Sequence, residues 1–154
     1  MAVTGLRSAG GAALLAGLVL TCGALVCQAQ GNQDIRNRLS DVAVALSSRD
    51  PANAMEPFDK SFSNYQKLSD YFIALTSGYQ LATEVEVTDE EDTTADAVKV
   101  SVRWTLHLID RQTRSTENRS ADLTLQMVKK KGKWKIADLS PLDLFDPQQK
   151  APGR

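Results

Sequence analysis

The chain has 154 residues, with 18 lysines and arginines against 19 aspartates and glutamates, for a formal net charge of −1. That balance gives no general argument for nucleic acid. A single histidine, with both cysteines confined to the N-terminal segment, leaves too few nitrogen and sulfur ligands for an ordinary zinc centre, so no metal and no cofactor are expected.

The N-terminus opens with MAVTGLR, which carries Arg7 and no acid, and residues 8–26 hold no charge. Leu14, Leu15, Leu18, Val19 and Leu20 form an apolar centre, and Cys27-Gln28-Ala29 places small residues where a signal peptidase cuts. A signal peptide over residues 1–29 is therefore expected, with export to a periplasm or to the outside after cleavage. An uncleaved segment would instead anchor the chain to a membrane, since this uncharged run is close to spanning length. Both cysteines, Cys22 and Cys27, fall in this segment, so the mature chain would be held by its core without disulfides. Losing Arg7 takes the net charge from −1 to −2 and leaves 125 residues, enough for one core and one domain.

After a polar lead-in, Ile35, Leu39, Val42 and Leu46 lie on one stripe of a helix. Pro51 ends it, and Asp50-Pro51 suits the cap and first position of a second, short helix, limited in turn by Pro57. A third helix is expected from about Ser63 or Asn64, with Tyr65, Leu68, Phe72 and Leu75 buried and Gly78 closing it. Beyond Gly78 the period becomes two. Leu81, Thr83, Val85 and Val87 form a first strand, TDEEDTTADA reads as an acidic solvated loop, and residues 98–108 alternate cleanly. Val98, Val100, Val102, Trp104, Leu106 and Leu108 face one way; Lys99, Ser101, Arg103, Thr105 and His107 face the other. Residues 111–120 read as a polar connection to a third strand with Leu123, Leu125 and Met127. A turn at Lys131-Gly132 leads to a fourth strand from Trp134 to about Leu139. The layout is α+β, with N-terminal helices packed on a curved antiparallel sheet of about four strands.

The stretches FDKSFSNYQKLSDYFIAL, VKVSVRWTLHLID and KKGKWKIADLSPLDLF, in this order, resemble the NTF2-like (SnoaL-like, cystatin-like cone) superfamily. The resemblance covers residues 30–145, leaving 146–154 as a flexible tail. It implies the cone fold and leaves function open, because the superfamily includes isomerases, cyclases, dehydratases, transport factors and exported proteins without assigned activity. Its enzymes usually pair an Asp with a His or Tyr inside the cone.

In this chain His107 falls in the outward phase. With Lys130 opposite Lys133 and Met127 opposite Ile136, Leu125 would oppose Asp138, placing that carboxylate on the core face. Asp138 and Asp110 are thus the candidate general bases. Tyr65, Tyr71, Tyr79, Trp104 and Trp134 are candidate walls for a small apolar ligand. The outer face, with Ser101, Arg103, Thr105, His107, Thr124 and Gln126, is a candidate homodimer surface. Lys129, Lys130 and Lys133 read as solubilising residues beside a turn. The expected role is a non-catalytic exported module acting in binding or assembly; the alternative is a small-molecule isomerase, cyclase or dehydratase using an inward Asp. A membrane is expected as a partner only with an uncleaved N-terminus.

Overall fold

A computed structural model describes residues 23–149, with side chains from Asn32 onward. The expected signal peptide lies largely outside the described residues; its last seven positions belong to the first helix, α1 (Gly23–Ser47). Among the described residues no helix is long and apolar enough to cross a membrane.

The α1 stripe is buried, with Ile35, Leu39, Val42 and Leu46 each 2 % exposed or less. Arg49 takes a left-handed φ of 59°, and the Asp50 amide returns to the Ala45 carbonyl at 2.8 Å, which closes the helix. Asp50 then caps α2 (Pro51–Met55): its carboxylate accepts from the Asn53 amide at 3.0 Å, and Pro51 takes the first turn. The third helix, α3 (Tyr65–Gly78), buries Leu68, Phe72, Leu75 and Thr76.

Four strands follow as an antiparallel meander, in the order β1 (Tyr79–Thr94), β2 (Ala97–Asp110), β3 (Thr116–Lys130) and β4 (Lys133–Ser140). A short 3-10 turn, Asp143–Phe145, ends the fold. Lys131 and Gly132 have φ values of 50° and 76°, the double positive φ of a type I′ hairpin, so the expected two-residue turn is present. The sheet curls over the helices, aided by three one-residue bulges that raise local twist and bend their strands, one of them at Thr93 near the end of β1. In β1, Val87 opposes Val102 and Asp89 opposes Ser101, leaving Thr88 extra. In β4, Ile136 opposes Met127 and Asp138 opposes Gln126, leaving Ala137 extra.

Several expectations change here. The acidic stretch is mostly strand, since β1 runs to Thr94 and its acids pair across to β2. The connection after β2 is short, because β3 begins at Thr116. Residues 146–149 are tied to the sheet by hydrogen bonds described below rather than hanging free.

The two sheet edges differ. At β4 the Ile136 amide donates to the Pro57 carbonyl, and the Asp59 amide donates to the Ile136 carbonyl, both at 2.8 Å. The segment after α2 thus covers that edge. Two lysines fasten it, one of them, Lys130, expected to be solvated. Lys135 reaches the Glu56 carbonyl at 2.6 Å and its carboxylate at 3.1 Å, and Lys130 pairs with Asp59 at 2.6 Å. Lys130, with the Ser61 hydroxyl and amide, holds the Asp59 carboxyl well below the usual carboxylate range. A lowered folded-state pKa stabilises the fold above the unfolded value of about 3.9, and that contribution fades as pH falls toward the folded value. Asp59→Asn should therefore lower the urea midpoint at neutral pH and flatten the loss of stability between about pH 5 and pH 2. Parallel wild-type and variant curves over that window would show that the pair contributes nothing to folding.

Candidate functional site

The cone interior is where a site would form, and it is filled. Trp104 projects from the middle of β2, is fully buried, and donates its indole N–H to the Thr83 hydroxyl on β1 at 2.6 Å. Its ring meets Phe145 edge-on, with centroids 5.3 Å apart at 87°. Phe145 meets Phe72 in the same way at 5.3 Å and 79°, and Phe72 meets Phe58 at 6.1 Å. One chain of edge-to-face rings thus runs from sheet to helices, an arrangement worth more than its area alone. Leu106, Leu108, Leu123 and Leu125 pack around it with at most 1 % exposure.

Phe145 occupies the cone because of Arg119. This residue lies on β3 opposite Leu106, in phase with Leu123 and Leu125, and is 7 % exposed. Its Nε donates to the Glu117 carboxylate at 2.7 Å. Its Nη1 donates to the carbonyls of Asp146 at 2.7 Å and Leu144 at 3.4 Å, and its Nη2 to that of Gln149 at 3.0 Å. The guanidinium exchanges its hydration for a carboxylate and three backbone carbonyls, which is what a buried cation requires. The sequence reading missed Arg119 inside a polar run; its even spacing from Leu123 is the signal that could have shown it facing inward.

The candidate acids are not brought into this interior. Asp138 is exposed and faces outward beside Gln126, because the bulge at Ala137 inverts the phase and gives the core position opposite Leu125 to Leu139. Asp110 ends β2 opposite Tyr79, and the two share an open hollow of about 540 Å³ with Ser77, Gly78, Arg111 and Gln112. Its carboxylate accepts the amides of Gln112 and Thr113, each at 2.8 Å, and these bonds lower its pKa. A carboxylate stabilised this way is a poorer base, whereas a catalytic base at neutral pH is tuned upward. Tyr65 and Tyr71 are half-buried at the rim, and the Tyr71 hydroxyl donates to Asp146 at 3.4 Å. Trp134 is core, with Lys129 5.9 Å above its ring.

The outer sheet face carries a ladder of polar cross-strand pairs. Arg103 donates to Asp122 at 3.0 Å, Thr105 and Ser120 bond at 3.1 Å, and His107 and Asn118 bond at 2.8 Å. Asp122 raises the Arg103 pKa further. Among the described residues no group of three or more His, Cys, Asp or Glu side chains is placed to hold a metal ion.

With this geometry in view, the comparisons are informative at the level of family and fold. A family model described as the C-terminal domain of anti-sigma-I factor RsgI9 matches residues 28–143. The chain belongs to this family. Its fold is NTF2-like. It is similar to a conserved protein from Planctomyces limnophilus, with TM-score 0.67 and 7% identity over 72% of this chain and 94% of that one. A ketosteroid isomerase-like protein from Erwinia carotovora atroseptica aligns with TM-score 0.60 and 12% identity over 70% and 91% of the two chains. An NTF-2 like protein of unknown function from Shewanella oneidensis gives 0.56 and 13% over 71% and 96%. At such identities the likeness concerns fold. No curated protein sequence matches the chain.

The Arg119 latch predicts a coupled pair. Arg119→Met leaves Glu117 and three carbonyls without their buried donor and should cost about 3 kcal/mol in urea unfolding. Phe145→Ala should cost about 3–5 kcal/mol by emptying the cone. The double variant should lose clearly less than the sum, since Arg119 acts by seating Phe145; strict additivity would refute that link.

Proposed function

We propose that this chain is an exported, non-catalytic NTF2-like domain that works in binding or assembly. The observation that carries the reading is the filled cone. Where an enzyme of this fold would hold a substrate between an acid and a base, Trp104, Phe72 and Phe145 pack edge to face. Three inward polar groups are engaged structurally: Thr83 with Trp104, Arg119 with the C-terminal carbonyls, and Thr76 with the Phe72 carbonyl at 2.8 Å. The family name points the same way, since the domain it describes is the C-terminal part of an anti-sigma factor.

The surface assigned to self-association is the outer face of β2 and β3, around Arg103, Thr105 and His107. Its side chains already satisfy one another, and the face is polar. That chemistry suits a reversible homodimer better than an obligate one. In a two-fold dimer each substituted residue appears on both sides of the interface. Sedimentation velocity should show a concentration-dependent dimer, and Thr105→Lys should weaken it at least tenfold while leaving the circular dichroism spectrum unchanged. A wild-type chain that stays monomeric at all concentrations would remove this surface from the proposal. N-terminal sequencing of the exported product should begin at Gln30; an intact N-terminus would favour the anchored form.

A further inference from the structure

The second sheet edge has no cover like that at β4. No described backbone group outside β2 bonds to β1 between Gln80 and Thr94. Every second residue along this stretch therefore turns an unpaired amide and carbonyl toward solvent, the template to which an added strand bonds. Beside the edge runs an open groove of about 820 Å³ between α1 and β1. Its apolar lining comes from Leu39, Ala43 and Val44 on the helix and Val85 and Val87 on the strand, beside Arg36, three serines, Thr83, Glu84 and Glu86. Among the described residues, Val44, 62 % exposed, is one of two large hydrophobic side chains the fold leaves out.

Charge then narrows the occupant. Glu84, Glu86, Asp89, Glu90, Glu91 and Asp92 all lie on β1, a strand without a lysine or arginine. Among the described residues, Glu84, Glu86, Asp89 and Asp92 form no ion pair, and Arg103, which faces Glu86, is held by Asp122. Glu90 adds a directed demand for a cation. The bulge at Thr88 turns it onto the concave side opposite Val100, with 13 % of its side chain exposed. One of its oxygens is only 3.5 Å from Arg36, and the other is buried with no partner. A second copy adding its own β1 here would set acid against acid, which is strongly unfavourable at close range.

We propose that the free edge of β1 and the α1–β1 groove form a docking site for an extended basic segment of a partner protein. The segment adds as a fifth strand, with alternate apolar side chains over Val44 and Val85 and its lysines or arginines on the opposite face, toward Glu84 and Glu86. Glu84 and Glu86 lie directly across from Thr105 and Arg103 on the same face, so the two surfaces are told apart by the backbone: strand addition at the β1 edge depends on the peptide's amides, whereas a dimer through the outer face does not.

The test uses the full chain and a fluorescein-labelled ten-residue peptide of alternating lysine and valine, read by anisotropy. The basic peptide should bind, weaken as salt is raised, and lose at least tenfold in affinity to the Glu84→Lys/Glu86→Lys variant, whose substituted positions are exposed and should leave the circular dichroism spectrum unchanged. N-methylation of one set of alternate peptide amides should abolish binding, and methylation of the other set should not. Equal binding by a glutamate–valine peptide would overturn the proposal. So would full affinity with both methylated sets, because binding would then be charge alone without strand addition.

Discussion

The closure of this fold's interior depends on one buried cation. Arg119 sits on the concave face of the sheet, where an uncompensated charge would be prohibitively costly. Glu117 and the carbonyls of Leu144, Asp146 and Gln149 compensate it. That set can be assembled only if the chain after β4 turns back across the mouth of the cone, and turning back drives Phe145 between Trp104 and Phe72. Satisfying the arginine and closing the interior are one event. Some proteins of this shape carry names drawn from enzymes; in this chain Trp104, Phe72 and Phe145 occupy the middle of the interior.

What remains available is the exterior, and the sheet's two edges divide it. At β4 the segment after α2 supplies backbone partners, and Lys130 and Lys135 fasten it through Asp59 and Glu56. At β1 the edge is open and protected by charge instead. Acidic residues along an exposed edge are a recognised guard against self-pairing. The same guard is selective, because it repels another copy of itself and attracts a strand of opposite sign. Protection from aggregation and selection of a basic partner are thus one property of β1.

Local signals in the sequence were legible and long-range ones were not. The α1 stripe, the Asp50-Pro51 cap, the alternation of β2 and the Lys131-Gly132 turn follow from periodicity or from backbone preferences a few residues long, and all four stand in the structure. The bulges at Thr88 and Ala137 have no such signature. Without the extra residue at Ala137, Asp138 counts as inward; with it, Leu139 does. Without the extra residue at Thr88, Glu90 would share the outward phase of Glu84 and Glu86. Composition misled in the same way, since ten residues rich in Asp, Glu and Thr read as a loop until pairing with β2 fixes most of them as strand. Arg119 was hidden by its neighbours, although its parity with Leu123 already placed it on the core face.

The bulges at Thr88 and Ala137 also connect these surfaces. Each lies within an edge strand, and each exchanges which side chain faces the concave side. At Ala137 the exchange removes a carboxylate from the interior and installs Leu139, 1 % exposed, in its place. At Thr88 it does the opposite and brings Glu90 inward beneath Arg36. A carboxylate with one oxygen loosely paired and the other buried without a partner is poorly satisfied by the fold alone. A second bulge that merely bent the strand could have presented Thr, Val or Leu at that position. Presenting Glu gives the acidic edge a buried anchor, so the irregularity that curls the sheet also sets the charge a partner would have to meet.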